Sequence, residues 1–204
     1  MKVLALQIEG FRGIRKAVVV FSEHAVLVGP NGSGKSTILD ALSLTFGRTQ
    51  LVRELTEHDF FGSTPAEATR FRLVATVGGF STEEPDDRHD WFRDGRGVPK
   101  WWNSKTNKAE PQPSADATTL CVQIGLAARF DHDELKVEQL RYFHDDDDLV
   151  DPFDEDAVNP FPNRLLNEIG FFVLPVRRTW EATVSFASEL FRRAVSTLGG
   201  IPAQ

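Results

Sequence analysis

Cysteine is nearly absent from these 204 residues: Cys121 stands alone and permits no internal disulfide. That usage suits a reducing compartment, and a cytoplasmic location is expected. Long apolar runs are missing too. None approaches the roughly 18 residues that mark a membrane-spanning helix, so no membrane is expected as a partner. Met1–Glu9 has too short an apolar stretch for a secretory leader, with no cleavage site. The histidines, His24, His58, His89, His132 and His144, show no metal-ligand spacing. Basic excess is also lacking, with 23 Lys and Arg against 30 Asp and Glu and a net charge of −7. That imbalance is local. Asp145–Asp148, Asp151, Asp154, Glu155 and Asp156 put eight acids into twelve residues, and without them the balance is +1. The body is near neutral, so acidity does not exclude a nucleic-acid partner.

Hydrophobic content of 41% and charged content of 26% describe a folded globular chain. Within it, Gly29-Pro30-Asn31-Gly32-Ser33-Gly34-Lys35-Ser36-Thr37 meets the pattern G-x-x-x-x-G-K-[ST]. Glycines let successive backbone N–H groups approach an anion with no Cβ in the way. The helix that follows aims its N-terminal donors and positive dipole end at the same anion. Lys35 is expected to reach the β- and γ-phosphates of ATP, as the residue closest to the chemistry, and the Ser36 hydroxyl to ligate Mg²⁺. Gly29, Asn31, Gly32, Ser33, Gly34 and Thr37 complete the expected cofactor-binding set. Ala25–Val28 reads as a short buried strand entering the loop. Ile38, Leu39, Leu42 and Phe46 recur at helical spacing after it, with Gly47 as the cap.

Along the rest of the chain, Val3–Ile8 and Ala17–Phe21 are expected strands joined by a turn at Gly10–Gly13. Leu51–Pro65 reads as irregular. Arg70–Val77, Thr118–Phe130 and Leu135–Phe143 are further strands, the last two a hairpin around Asp131–Glu134. The segment 78–117, rich in Gly, Pro and polar residues, is expected to be a loop-rich, incompletely ordered insertion. Phe171–Leu174 reads as a buried strand closed by Pro175. Trp180, Val184, Ala187, Phe191, Ala194 and Leu198 then repeat as the narrow stripe of an amphipathic helix over 179–198.

The stretches LQIEGFRGIRKAVVVF and AVLVGPNGSGKSTILDALSL resemble the opening of ABC-type ATPases of chromosome and DNA-repair machines: SMC proteins, RecF and OLD-family ATP-dependent endonucleases. LTEHDFFG (55–62) and FFVLPVRRTWEA (171–182) most resemble the OLD family. The resemblance implies an α/β fold, the P-loop NTPase of ABC/SMC type, with residues 1–204 as the N-terminal lobe of a head. That lobe is expected to hold a mixed sheet and an antiparallel β-hairpin subdomain. It further implies an ATP hydrolase that uses ATP and Mg²⁺, acts on DNA and pairs with a second head as a homodimer. Three features implied by the family are missing. Leu140–Asp146 is no apolar strand ending in Asp-Glu, because Arg141 and His144 interrupt it. Thr197-Leu198-Gly199-Gly200 lacks the serine of a signature and reads as a helix cap. No nuclease domain precedes Gln204. The expectation is therefore an incomplete head that binds ATP with little turnover on its own.

Other residues carry two readings each. Arg12, in the turn that such heads place near the nucleotide, is either a further phosphate contact or part of an exposed turn. Trp91, Phe92, Trp101 and Trp102, interleaved with Arg93, Arg96, Lys100, Lys105 and Lys108, suit either stacking on single-stranded nucleic acid or packing of the insertion. The acidic run fails as a Ca²⁺ loop, with Val150 at the sixth position and Asp156 at the twelfth, and reads as a solvated loop. A minor alternative has one of its acids ending the preceding strand and helping to hold Mg²⁺. Arg177 and Arg178 follow a buried strand where α/β sheets place ligands. The rival functions are a RecF- or SMC-like clamp ATPase without nuclease activity and, less favoured, a small-molecule kinase.

Overall fold

The computed structural model describes residues 1–47, 54–93, 96–146, 151–154 and 158–171. The chain divides at Phe171, and the second unit, 172–204, lies outside the described residues, along with the expected 179–198 helix, Arg177 and Arg178. The described body runs β1 (Lys2–Phe11), β2 (Ile14–Val20), α1 (Lys35–Phe46), β3 (Arg70–Gly78), α2 (His89–Phe92), β4 (Lys100–Asn103), β5 (Lys108–Glu110), β6 (Ala117–Asp131), β7 (Lys136–Phe143), β8 (Asn159–Pro160) and α3 (Asn163–Ile169).

Every pairing among the described strands is antiparallel, in the order β2-β1-β3-β6-β4-β5, with β7 on β6 and β8 on β7. The expected mixed sheet is thus replaced here by an antiparallel one. Strand β6 is its axis. Successive side chains of a strand alternate between faces, and both faces of β6 are covered. Leu120, Val122, Ile124, Leu126 and Ala128 join the main core, whereas Cys121 packs with Leu4, Ala5 and Trp102 on the other face. The main core is aromatic at both ends. Phe71 lies 5.0 Å from Phe11 and 5.2 Å from Phe60 between ring centroids, while Trp91 meets Phe80 edge to face and lies tilted against Phe161.

The C-terminal half of α1 buries Ala41, Leu42, Leu44 and Phe46 in that core. Leu39, expected on the buried stripe, is 48% exposed. The larger departure precedes the helix. Ala25–Val28 forms no strand, and Val26 and Val28 are 84% and 89% exposed. A strand exists only where a neighbour takes its backbone hydrogen bonds, and none of the described strands pairs with this segment.

The segment 78–117 is also more structured than expected. It supplies α2, β4 and β5, and β4 pairs with β6, with Lys100 opposite Cys121 and Trp102 opposite Thr119. Trp91 is fully buried and Trp102 is buried, so their side chains pack. The Trp91 indole N–H donates to Glu168 of α3 at 3.0 Å.

Candidate nucleotide-binding site

The segment Gly29–Thr37 joins the unpaired stretch 25–28 to α1. Gly32 and Gly34 have φ of +81° and +89°, a left-handed backbone that side chains strain to adopt. Gly34 is the N-cap of α1, and its carbonyl takes the first helical hydrogen bond, from Ile38 N–H at 3.0 Å. The Ser33 N–H donates to the Pro30 carbonyl at 3.3 Å, which closes the loop into a concave turn. A Cβ on Gly29 would meet Ser33 Oγ at 2.8 Å, so the two ends of the loop lie close together and a larger residue there would need the Ser33 side chain to turn aside. The first turn of α1 holds no acid. Its free N–H groups and positive dipole end face no carboxylate within that first turn.

The Lys35 ammonium folds back over this loop. It donates to the carbonyls of Gly29 at 2.8 Å and Pro30 at 2.6 Å, with Ser33 Oγ at 3.4 Å. Neutral carbonyls hold a cation less firmly than an anion does, so the ammonium is easily drawn away by a phosphate. Asn31, Gly32, Ser33 and Ser36 are exposed and Thr37 is half-buried, at the start of the helix.

Arg12 approaches from the β1–β2 turn, with φ at +49°. The turn abuts the cradle, because Ile14 Cδ1 lies 3.7 Å from where a Gly34 Cβ would stand. The guanidinium is engaged by two acids that the sequence reading did not single out. Its Nε donates to Asp59 at 2.9 Å and its Nη1 to Asp40, on α1. Asp59 is 1% exposed, and its other oxygen accepts the Thr56 N–H at 3.0 Å. Burial opposes the charge on Arg12, but the hydrogen bonds to Asp40 and Asp59 outweigh it and raise the pKa. Signals for both acids lay in the sequence. Asp40 is the lone charge in the apolar run Ile38–Phe46, and Thr56-Glu57-His58-Asp59 has capping-box spacing.

The remaining candidates lie in the fold's own contacts. Arg93 pairs with Asp86 at 3.3 Å, Arg96 with Asp90 at 3.2 Å and Lys105 with Asp116 at 2.8 Å, while buried Lys100 donates to Gln123 at 2.6 Å. The acidic run is anchored where it is described. Asp145 accepts the Val98 N–H at 2.7 Å, and Asp151 pairs with Arg70 at 3.2 Å. Phe153 places its ring under the guanidinium groups of Arg129 and Arg70, 4.7 and 5.7 Å away. The expected solvated loop is therefore docked at these positions. Among the described residues, no helix is long and apolar enough to cross a membrane.

Over 80 residues the chain is 40% identical to the DNA replication and repair protein RecF of Agrobacterium fabrum, a match covering 38% of this chain and 20% of that protein. The chain thus spans about a fifth of the length of the curated relative it matches. A family model described as protein of unknown function (DUF2813) matches residues 1–111, more than half of the chain. That match takes in the hairpin, the cradle, α1 and all three members of the Arg12–Asp40–Asp59 cluster, and the chain belongs to this family.

Proposed function

We propose that the chain is the ATP-binding portion of an ATPase that couples ATP binding and hydrolysis to DNA processing, in the manner of the OLD-family endonucleases. The observation that carries this reading is the wound loop Gly29–Gly34 ahead of an acid-free helix start, with the Lys35 ammonium held only by loop oxygens. The left-handed Gly32 and Gly34 suit a polyphosphate, which needs bare backbone donors at close range. Backbone N–H groups of residues 32–36 would hold the β-phosphate, with Asn31, Ser33 and Thr37 flanking it. Lys35 would exchange Gly29 and Pro30 for β- and γ-phosphate oxygens. The Ser36 hydroxyl would ligate Mg²⁺. Bound ATP supplies a phosphoanhydride with a good leaving group; the protein's part is placement and charge neutralisation. Arg12 would add a phosphate contact only by releasing Asp40. DNA and a second copy of the head are the proposed partners, in a cytoplasmic setting.

A second reading, a clamp ATPase that retains DNA without cutting it, draws support from the name of the RecF relative. The first test is titration of a fluorescent ATP analogue into wild type and Lys35→Ala. Equal affinities would sink the nucleotide assignment. Incubation of the full protein with DNA and Mg·ATP separates the two readings: strand cleavage supports the nuclease, and ATP-dependent retention of intact DNA supports the clamp.

A further inference from the structure

Arg141 reads in the sequence as an interruption of an apolar strand. In the fold it lies on β7 opposite Leu126 and reaches the far end of the cradle helix. Its Nη2 donates to the carbonyls of Leu44 at 2.9 Å and Gly47 at 3.0 Å, and its Nη1 to Asn163, the first residue of α3, at 3.3 Å. Its own carbonyl accepts the Phe161 N–H at 3.0 Å. One residue thus joins β7, α3 and the last turn of α1.

The electrostatics of this contact are unusual. Burying a cation is costly unless a countercharge is provided. Burial lowers the Arg141 pKa, and no carboxylate among the described residues ion-pairs with it. The countercharge is the C-terminal end of α1, whose last carbonyls carry about half a negative charge. The last turn of α1 has no basic residue of its own. Arg141 therefore supplies from another strand the cation that this helix end lacks.

We infer that Arg141 is a positioning residue for the phosphate cradle. It fixes α1 lengthwise against the sheet by its C-terminal carbonyls and so sets where the N-terminal donors and Lys35 stand. The two ends of the 12-residue helix are about 18 Å apart, so the residue acts through the helix and touches no ligand. The inference rests on the nucleotide reading of the cradle. By linkage, an anion bound at the N-terminus tightens the C-terminal contact to the extent that the contact favours the anion.

The experiment titrates a fluorescent ATP analogue with Mg²⁺ into wild type, Lys35→Ala, Arg141→Gln and Arg141→Lys in the full chain. Amide exchange at Leu44–Gly47 is followed with and without Mg·ATP. Arg141→Gln is expected to weaken binding about tenfold and to abolish nucleotide-dependent protection of those amides. Arg141→Lys, which keeps the charge, is expected to recover most of both. If Arg141→Gln does not fold, an Arg141→Lys protein that binds like wild type but shows no nucleotide-dependent protection overturns the inference. So does an Arg141→Gln protein with wild-type affinity, or one whose nucleotide-dependent protection persists. Wild-type binding no tighter than that of Lys35→Ala overturns the cradle reading itself, and this inference with it.

Discussion

Arg12 and Asp59 are joined twice: the Arg12 backbone N–H donates to the Asp59 carbonyl at 2.8 Å, and its Nε donates to the Asp59 carboxylate at 2.9 Å. Neighbouring contacts reinforce the pair, with Phe61 N–H on the Gly10 carbonyl at 2.8 Å and a bridge between Phe11 and Phe60. The hairpin turn is thereby fixed to the segment after α1, and through Asp40 to α1 itself. The turn beside Gly34 is thus held by backbone and side-chain contacts together.

Removing the buried partner should be costly. Asp59→Ala leaves the Arg12 guanidinium without its inner carboxylate and the Thr56 N–H without an acceptor. Breaking a buried ion pair on one side costs about 3–5 kcal/mol. Urea denaturation of the variant against wild type measures it, and a loss well under ~1 kcal/mol would show that the cluster is not structural.

Asp40 should behave in the opposite way. Its side chain is 47% exposed, so the pair with Arg12 contributes little, and Asp40→Asn should change stability by less than about 1 kcal/mol. It also removes a negative charge from the cradle helix and weakens the competition for Arg12 Nη1, since the amide keeps only a neutral acceptor. Affinity for Mg·ATP should then rise about threefold to tenfold, the equivalent of ~1 kcal/mol. A fall in affinity at unchanged stability would mean that Arg12 serves the nucleotide only through Asp40.

Trp91 tests the standing of the segment 78–117. It is fully buried, with Phe80 and Phe161 rings 5.3 and 5.8 Å away. Trp91→Ala should cost about 3–5 kcal/mol. Deletion of 79–116 should unfold the body, because β6 would lose β4. Far-UV dichroism of the deletion and denaturation of Trp91→Ala check both.

Asp145 supplies a pH prediction. Burial raises its pKa, against the Val98 N–H and the nearby Lys100. An acid whose folded pKa is raised favours the native state most when protonated, so its contribution falls as pH rises from the ordinary value toward the folded one. Asp145→Asn keeps an acceptor for Val98 without the charge. The variant should be more stable than wild type at pH 7, and the two should converge near the ordinary value of 3.8. Denaturation midpoints across pH 4–7 decide it, and a less stable variant at pH 7 would reverse the assignment.

Legibility in the sequence followed the range of the interactions. The cradle and α1 are written locally, in glycine spacing and helical periodicity, and β1, β2, β3, β6 and β7 carry enough β-forming side chains to be recognised. Strands β4 and β5 were hidden because Lys100 is charged, and its partners, Gln123 and the His144 carbonyl, lie 23 and 44 residues away. Asp40 and Asp59 carried local signals, but nothing in the sequence joined them to Arg12, or Arg141 to the end of α1. Asp40 and Asp59 are ordinary polar residues until the fold brings Arg12 between them, and Arg141 looked like a defect in its strand until it met the end of α1. The error at Ala25–Val28 has a similar root, since apolar composition states a preference for burial and no strand partner among the described residues supplies it.

The order of the strands bears on how the molecule assembles. Strand β2 turns back on β1, but the next strand to pair with β1 is β3, and the whole cradle and its helix lie in the excursion 21–69 between them. Closing such a loop spends chain entropy before any contact repays it. The Arg141 contact that steadies α1 comes from far beyond the helix, 97 residues along the chain from Leu44. The finished cradle is therefore expected to form late in folding. A ligand that recognises only the finished cradle binds after the barrier is crossed, so it slows the unfolding rate and leaves the folding rate unchanged.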